Sequence, residues 1–341
     1  MTTTLPDLDR TERSEADDQP RRLSRRSTGA DAAFVWSVRV VGASVLVITG
    51  GVAIFLGAQL KPTLDRYGLA FFTTQEWSPD TDVVGIAAVM VGSIAIGLTA
   101  MAMAFPLAVL MALYVSEYAP ARLRSTLVSV IDLMAAVPSI VYGLWAKDLI
   151  MPHSSALARW MHQHLGWIPL FDVPGTDPSA PIPDATRYIS SSFCASIAVA
   201  MMVMPMACAV MRQVFSQTPQ GEKEAALALG ATKWGVVTNV VLPFGRGGMI
   251  GGTMLGLGRA LGETIAVLLI ISPAFDIKWS LTEVGSSSVS ALIAGRFSDA
   301  SDAQLSALLA AGFALFLLTL AVNTVAALIV NRSRSGEGVD A

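Results

Sequence analysis

Long apolar runs separated by short charged stretches set the pattern of this chain. Six runs reach the ~20 residues that a helix needs to cross the hydrocarbon core of a bilayer. They are roughly Val40–Leu60, Val83–Val115, Ser125–Ala146, Ile189–Met211, Gly247–Pro273 and Ala303–Val330. The pattern predicts an all-α integral membrane protein with six transmembrane helices. The second run is longer than one crossing requires, and Gly97 and Pro106 mark places where it can kink. The third holds one charge, Asp132, read as a capping or interhelical hydrogen-bonding group.

Composition strengthens this picture. Charged residues make up 14% of the chain and hydrophobic ones 53%, against about 25% charged in an ordinary soluble domain. Mean hydropathy is +0.58. Basic residues then orient the helices, because cytoplasmic loops carry the excess of Lys and Arg. One side of a six-span topology holds Arg10, Arg13, Arg21, Arg22, Arg25 and Arg26, then Arg122 and Arg124, then Lys223, Lys233 and Arg246, then Arg332 and Arg334. The other side holds fewer: Lys61, Arg66, Lys147, Arg159, Arg187, Lys278 and Arg296. Both termini are therefore expected to be cytoplasmic. The polar first forty residues lack apolar periodicity and read as a disordered tail before an uncleaved anchor. Glu117 and Arg122, in the loop after the second span, read as solvated.

Three kinds of candidate chemistry add little. Cys194 and Cys208 lie fourteen residues apart in one span, ~21 Å along a helix, beyond disulfide reach. His153, His162 and His164 fall in a proline-rich loop, 151–188, without regular ligand spacing or a partner carboxylate, so no metal site is expected. The basic tail is read as a solvated juxtamembrane cluster beside lipid, with no nucleic-acid role.

Two features do change the picture. Within the fifth run, Arg259 and Glu263 are ionisable groups at membrane depth, where charge is costly and marks ligand or ion pathways. A spacing of four predicts both on one helix face. An Arg fork suits an oxyanion, and an ionised Glu can accept a proton from phosphate that sulfate does not have. The alternatives are a purely structural pair and a gating role without substrate contact. Gly248, Gly252 and Gly256, and likewise Gly258 and Gly262, recur every four residues and predict close helix packing at the centre of a bundle.

The second feature is the loop TPQGEKEAALALGATKWGVVTNVVLPFGRGG. Thr218 and Pro219 predict a helix start, Gly230 a left-handed stop, and Thr232 the cap of a second short helix that Pro243 ends. Ala225, Ala226 and Ala228 offer a small-residue surface for another protein.

This loop resembles the cytoplasmic loop of ABC importer permeases. Glu224-Ala225-Ala226, three residues, Gly230, nine residues and Val240-Val241-Leu242-Pro243 follow that family's spacing, with Val in place of Ile. IGGTMLGLGRALGETIAV (Ile250–Val267) and AVPSIVYGLW (Ala136–Trp145) look like the fifth-span and third-span signatures of PstC-type phosphate permeases. The likeness covers roughly Val83 to the carboxyl end.

The resemblance implies a type I ABC importer permease (MetI-like) bundle, with a tail (1–33), a first helix (34–61), a permease domain (83–331) containing the coupling loop (214–245), and a short tail (332–341). It implies a permease of an ATP-driven phosphate importer in the bacterial plasma (inner) membrane, or else of an importer for sulfate or molybdate. Glu224, Ala225, Ala226, Gly230, Leu242 and Pro243 would couple to an ATPase, while Arg259 and Glu263 would line the substrate pathway. The implied partners are a PstA-like second permease, a PstB-like ATPase dimer and a PstS-like phosphate-binding protein. No G-x-x-x-x-G-K-[ST] loop occurs, so ATP and Mg are expected on the ATPase, and this chain is expected to be non-catalytic and without a cofactor.

Overall fold

The computed structural model describes residues 29–180 and 184–334. The tail expected to be disordered therefore lies almost wholly outside the described residues, as does most of the carboxyl tail. The chain falls into two units, Met1–Val52 and Ala53–Ala341. Of the first, only part of helix α1 (Gly29–Tyr67) is described. Its apolar side chains up to Val52 are largely exposed, Leu46 by 75% for example, whereas Thr63 further along is buried. A helix apolar all round over this length needs an apolar solvent, the pattern of a membrane span.

In the second unit, a two-residue antiparallel ribbon, β1 (Trp77–Ser78) and β2 (Val83–Val84), follows α1. Helix α2 (Ala87–Leu113) then continues into a π turn, Tyr114–Tyr118. Pro106 sits inside α2 without ending it.

Helix α3 (Ala121–Ala136) and helix α4 (Ser139–Trp145) meet at Val137 and Pro138. Here the predicted third span, Ser125–Ala146, is corrected. Proline disfavours the helical region for the residue before it, and Val137 is extended, with φ −64° and ψ 130°. The axis bends by 90° at this point. Beyond it, α4 passes through a π turn (Ala146–Ile150) into α5 (Met151–Leu165). Much of the segment read as an irregular loop is therefore helical, and it carries all three histidines.

Helix α6 (Ser192–Ser216) starts under a Ser191 cap, whose hydroxyl accepts the Cys194 N–H at 3.3 Å. After a hairpin (218–245) come α10 (Arg246–Leu261), α11 (Ile265–Ile270), α12 (Val289–Arg296) and α13 (Asp302–Arg334). Four of the described helices are long and apolar enough to cross a membrane, and six if each bent pair counts as one span.

The core is made of small residues. Ala100, Met101 and Ala104 of α2 pack with Ala198, Val199 and Met202 of α6 and with Leu257, Ala260 and Leu261 of α10. Without a hydrophobic force between helices in lipid, such close backbone approach and dispersion hold a bundle. At Gly92, an added Cβ would lie 2.0 Å from the Ser287 carbonyl oxygen. The neighbouring Ser93 hydroxyl accepts the Val289 N–H at 2.9 Å. This buried hydroxyl between helices is thus paired with backbone. Away from the hairpin, Phe71, Trp77 and Ile86 form a second core with Val289, Leu292 and Leu308.

Candidate functional site

The hairpin is built by local chemistry. Helix α7 (Gln220–Ala228) stops at Gly230, whose φ of +88° only glycine adopts without strain. The Gly230 N–H donates to Leu227 O at 2.9 Å and the Ala231 N–H to Ala226 O at 3.0 Å, the paired bonds of a Schellman stop. Thr232 then caps α8 (Lys233–Val236) by accepting the Gly235 N–H at 3.1 Å. Pro243 has no N–H for the carbonyl four residues back, and the helix widens to a π turn, Val237–Val241, before α9 (Leu242–Phe244). A 66° bend leads into α10.

The start of α7 differs from expectation by one residue. Pro219, not Thr218, takes the cap position, and the buried Thr218 hydroxyl has no hydrogen-bond partner. Glu224 and Ala225 are exposed, whereas Ala226 and Leu242 pack inward on a core that includes Phe215, Val236 and Val241. Only part of the expected small-residue surface therefore faces outward. What it presents in addition is apolar: Leu229 is 90% exposed and Trp234 59%.

Glu117 is not solvated. It accepts a hydrogen bond from Lys223 Nζ at 2.7 Å, joining the π turn at the end of α2 to α7, and both side chains are largely buried. Nothing in the spacing of residues 106 apart announces this contact.

The fifth run contains the second correction. Helix α10 ends at Leu261, and Gly262 through Thr264 are irregular before α11 begins. Arg259 and Glu263 therefore do not share a helix face. Arg259 lies exposed in the last turn of α10, where its charge suits the negative end of the helix. Glu263 is buried, 8% exposed, and its Oε1 accepts the Ala266 N–H at 3.3 Å, satisfying a free donor of the first turn of α11. Among the described residues, the ion pairs within 4.0 Å do not include Arg259 with Glu263. The purely structural pair is thereby set aside.

The glycines divide. A Cβ at Gly248 would lie 2.5 Å from Val214, one at Gly252 2.9 Å from Ala207 O, and one at Gly256 3.1 Å from the Met101 sulfur. These three seat α10 on this chain's own α6 and α2. Gly258 meets only Asn323, at 3.9 Å. Gly262 is the exposed C-cap of α10 and packs on no other helix. Gly143, not singled out in the sequence, allows the closest approach to the break, since its Cβ would lie 2.9 Å from Ala266 Cα. One residue earlier, the Tyr142 hydroxyl donates to Met134 O at 2.9 Å, tying α4 back to α3.

The histidines have structural roles. His162 Nδ1 lies 2.8 Å from the Tyr188 hydroxyl, His153 bonds the Leu149 carbonyl of the preceding π turn, and His164 bonds the Trp160 carbonyl one turn back in α5. In the adjoining loop, the hydroxyl and backbone N–H of Ser179 both donate to Asp177, holding its carboxyl below the usual range.

Known proteins carry the same plan. Residues 104–335 match the family described as binding-protein-dependent transport system inner membrane component. The phosphate transport system permease protein PstC 2 of Mycobacterium tuberculosis is 36% identical over 89% of this chain and 92% of its own length. PstC of Mycobacterium leprae is 38% identical over 80% and 85%, respectively. Among solved structures, a bacterial ABC transporter involved in alginate import superposes with a TM-score of 0.55 at 14% identity, covering 88% of this chain and 98% of that one. The fold is that of a type I ABC importer permease, and by its sequence the chain belongs to the family of binding-protein-dependent transport system inner membrane components.

Proposed function

We propose that this chain is one of two permease subunits of an ATP-driven importer of inorganic phosphate, set in the bacterial plasma membrane with both termini cytoplasmic. The observation that carries this reading is the break between α10 and α11. Irregular backbone at membrane depth is tolerated where it is covered by protein or lines a wet cavity, and broken spans place helix ends at substrate sites. Here the break separates an exposed Arg259 from a buried Glu263. Arg259 is free to bind an oxyanion through its planar fork. Glu263 uses Oε1 as a cap, and its second oxygen is the acceptor for a proton on phosphate. The names of the relatives support phosphate over sulfate or molybdate.

In this reading the hairpin docks an ATPase subunit that binds ATP and Mg. Leu229, Trp234 and Glu224 supply the exposed surface, and Gly230 keeps the two short helices at their angle. A separate phosphate-binding protein and a second permease complete the importer. ATPase closure would swing the hairpin and switch which side of the bundle is open.

The test is phosphate uptake by the reconstituted complex. Arg259→Ala should reduce uptake to background while the ATPase and second permease still copurify. Normal uptake by this variant removes Arg259 from the pathway. Block of wild-type uptake by excess sulfate would replace phosphate with a wider oxyanion class.

A further inference from the structure

We propose that the Lys223–Glu117 ion pair is the strut through which movement of the hairpin reaches the membrane bundle, making both side chains positioning residues for coupling. This inference rests on the reading of the hairpin as an ATPase-docking element.

Lys223 is the buried side chain of α7, flanked by exposed Glu222 and Glu224. Its ammonium reaches the end of α2, where it meets Glu117 Oε1 at 2.7 Å. Side-chain exposures of 11% for Lys223 and 14% for Glu117 take the pair mostly out of water. A largely desolvated ion pair is held far more tightly than a surface one, because either charge left alone would be costly.

Glu117 is itself anchored. Its π turn closes with the Ala119 N–H donating to Tyr114 O at 2.8 Å, and Arg124 Nη2 donates to Ser116 O at 2.8 Å from α3. The far end of the strut is therefore the corner joining α2 to α3.

Packing between the hairpin and the same corner is apolar: Ala226, Val236 and Val237 share a core with Leu113 and Val115 at the end of α2. A cleft of about 300 Å³ lies beside the pair, lined by Glu117, Tyr118, Lys223, Glu224, Leu227 and Lys233 among others. Such apolar contact is non-directional, and a gap of about 0.5–1 Å already forfeits a quarter to a half of it. The ion pair adds a directional link beside that contact.

The experiment uses the complete complex in phosphate-trapping liposomes. Phosphate uptake and ATP hydrolysis are measured together for wild type, Lys223→Glu, Glu117→Lys and the double reversal. Each single reversal should keep the ATPase copurifying and hydrolysing ATP, yet lower uptake per ATP about tenfold, within the usual range of coupling between contacting residues. The double reversal should restore the ratio to within about twofold. An unchanged ratio in the singles, a loss of ATPase copurification in them, or no recovery in the double overturns the strut. A wild-type complex that takes up no phosphate or retains no ATPase overturns the docking reading itself, and the strut with it.

Discussion

In the hairpin, polar chemistry is local and apolar surface is left over. Thr232 caps α8 within its own turn, Gly230 reverses the chain, and Leu229 and Trp234 remain exposed. In the broken span that follows, apolar surface is consumed and polar chemistry is left over. Gly248, Gly252 and Gly256 press α10 against α6 and α2, and the break leaves Arg259 without a carboxylate partner within 4.0 Å among the described residues. In the function proposed above, what each region leaves unsatisfied has a use: an apolar face for a protein, an unpaired charge for an ion.

The comparison breaks most severely where backbone packs on backbone. Gly252→Leu places its Cβ 2.9 Å from Ala207 O, so α10 and α6 must part. Overpacking of this kind typically costs about 1–3 kcal/mol and more where backbone cannot move. We expect the melting temperature in detergent to collapse. An unchanged melt would show that the stripe is not a packing seam.

A smaller and more local effect is expected from Gly230→Val. Forcing a β-branched residue to the φ of +88° costs about 1–2 kcal/mol. Faster amide exchange should appear in α7 and α8 while α10 keeps its protection, and less ATPase should copurify. Exchange that rises equally in both regions would deny the hairpin its independence.

Smallest is Thr232→Ala, which removes the hydroxyl that accepts the Gly235 N–H. Loss of such a cap costs about 1 kcal/mol. Faster exchange at the first amides of α8, without loss of uptake, is the expected result. An effect on the Arg259 region would join what the comparison separates.

These regions also differ in how far the sequence reveals them. The Gly230 stop and the Thr232 cap were legible because each depends on one residue type and its nearest neighbours. The break at Gly262–Thr264 was not, since RALGETIAV is apolar enough to read as a continuous span. The break has a tertiary part, the packing of α11 on α4 through Gly143, and a local one, the Glu263 carboxylate accepting the Ala266 N–H three residues on. The 90° bend at Pro138 did carry a signal, the restriction that proline places on Val137, but apolar length outweighed it. The Lys223–Glu117 contact was invisible because pairing across 106 residues leaves no trace in local pattern.

The close approach at Gly92 governs how this chain can drift. There the neighbour is the Ser287 carbonyl, and a backbone atom cannot rotate aside as a side chain can. Apolar positions such as Leu133 and Ile54, 70% and 76% exposed, ask only for something oily. Substitutions can accumulate on that outer skin while the glycine contacts stay frozen. Much of the alphabet can be exchanged in a bundle like this one without moving a helix, provided that a few hydrogen atoms are never replaced by methyl groups.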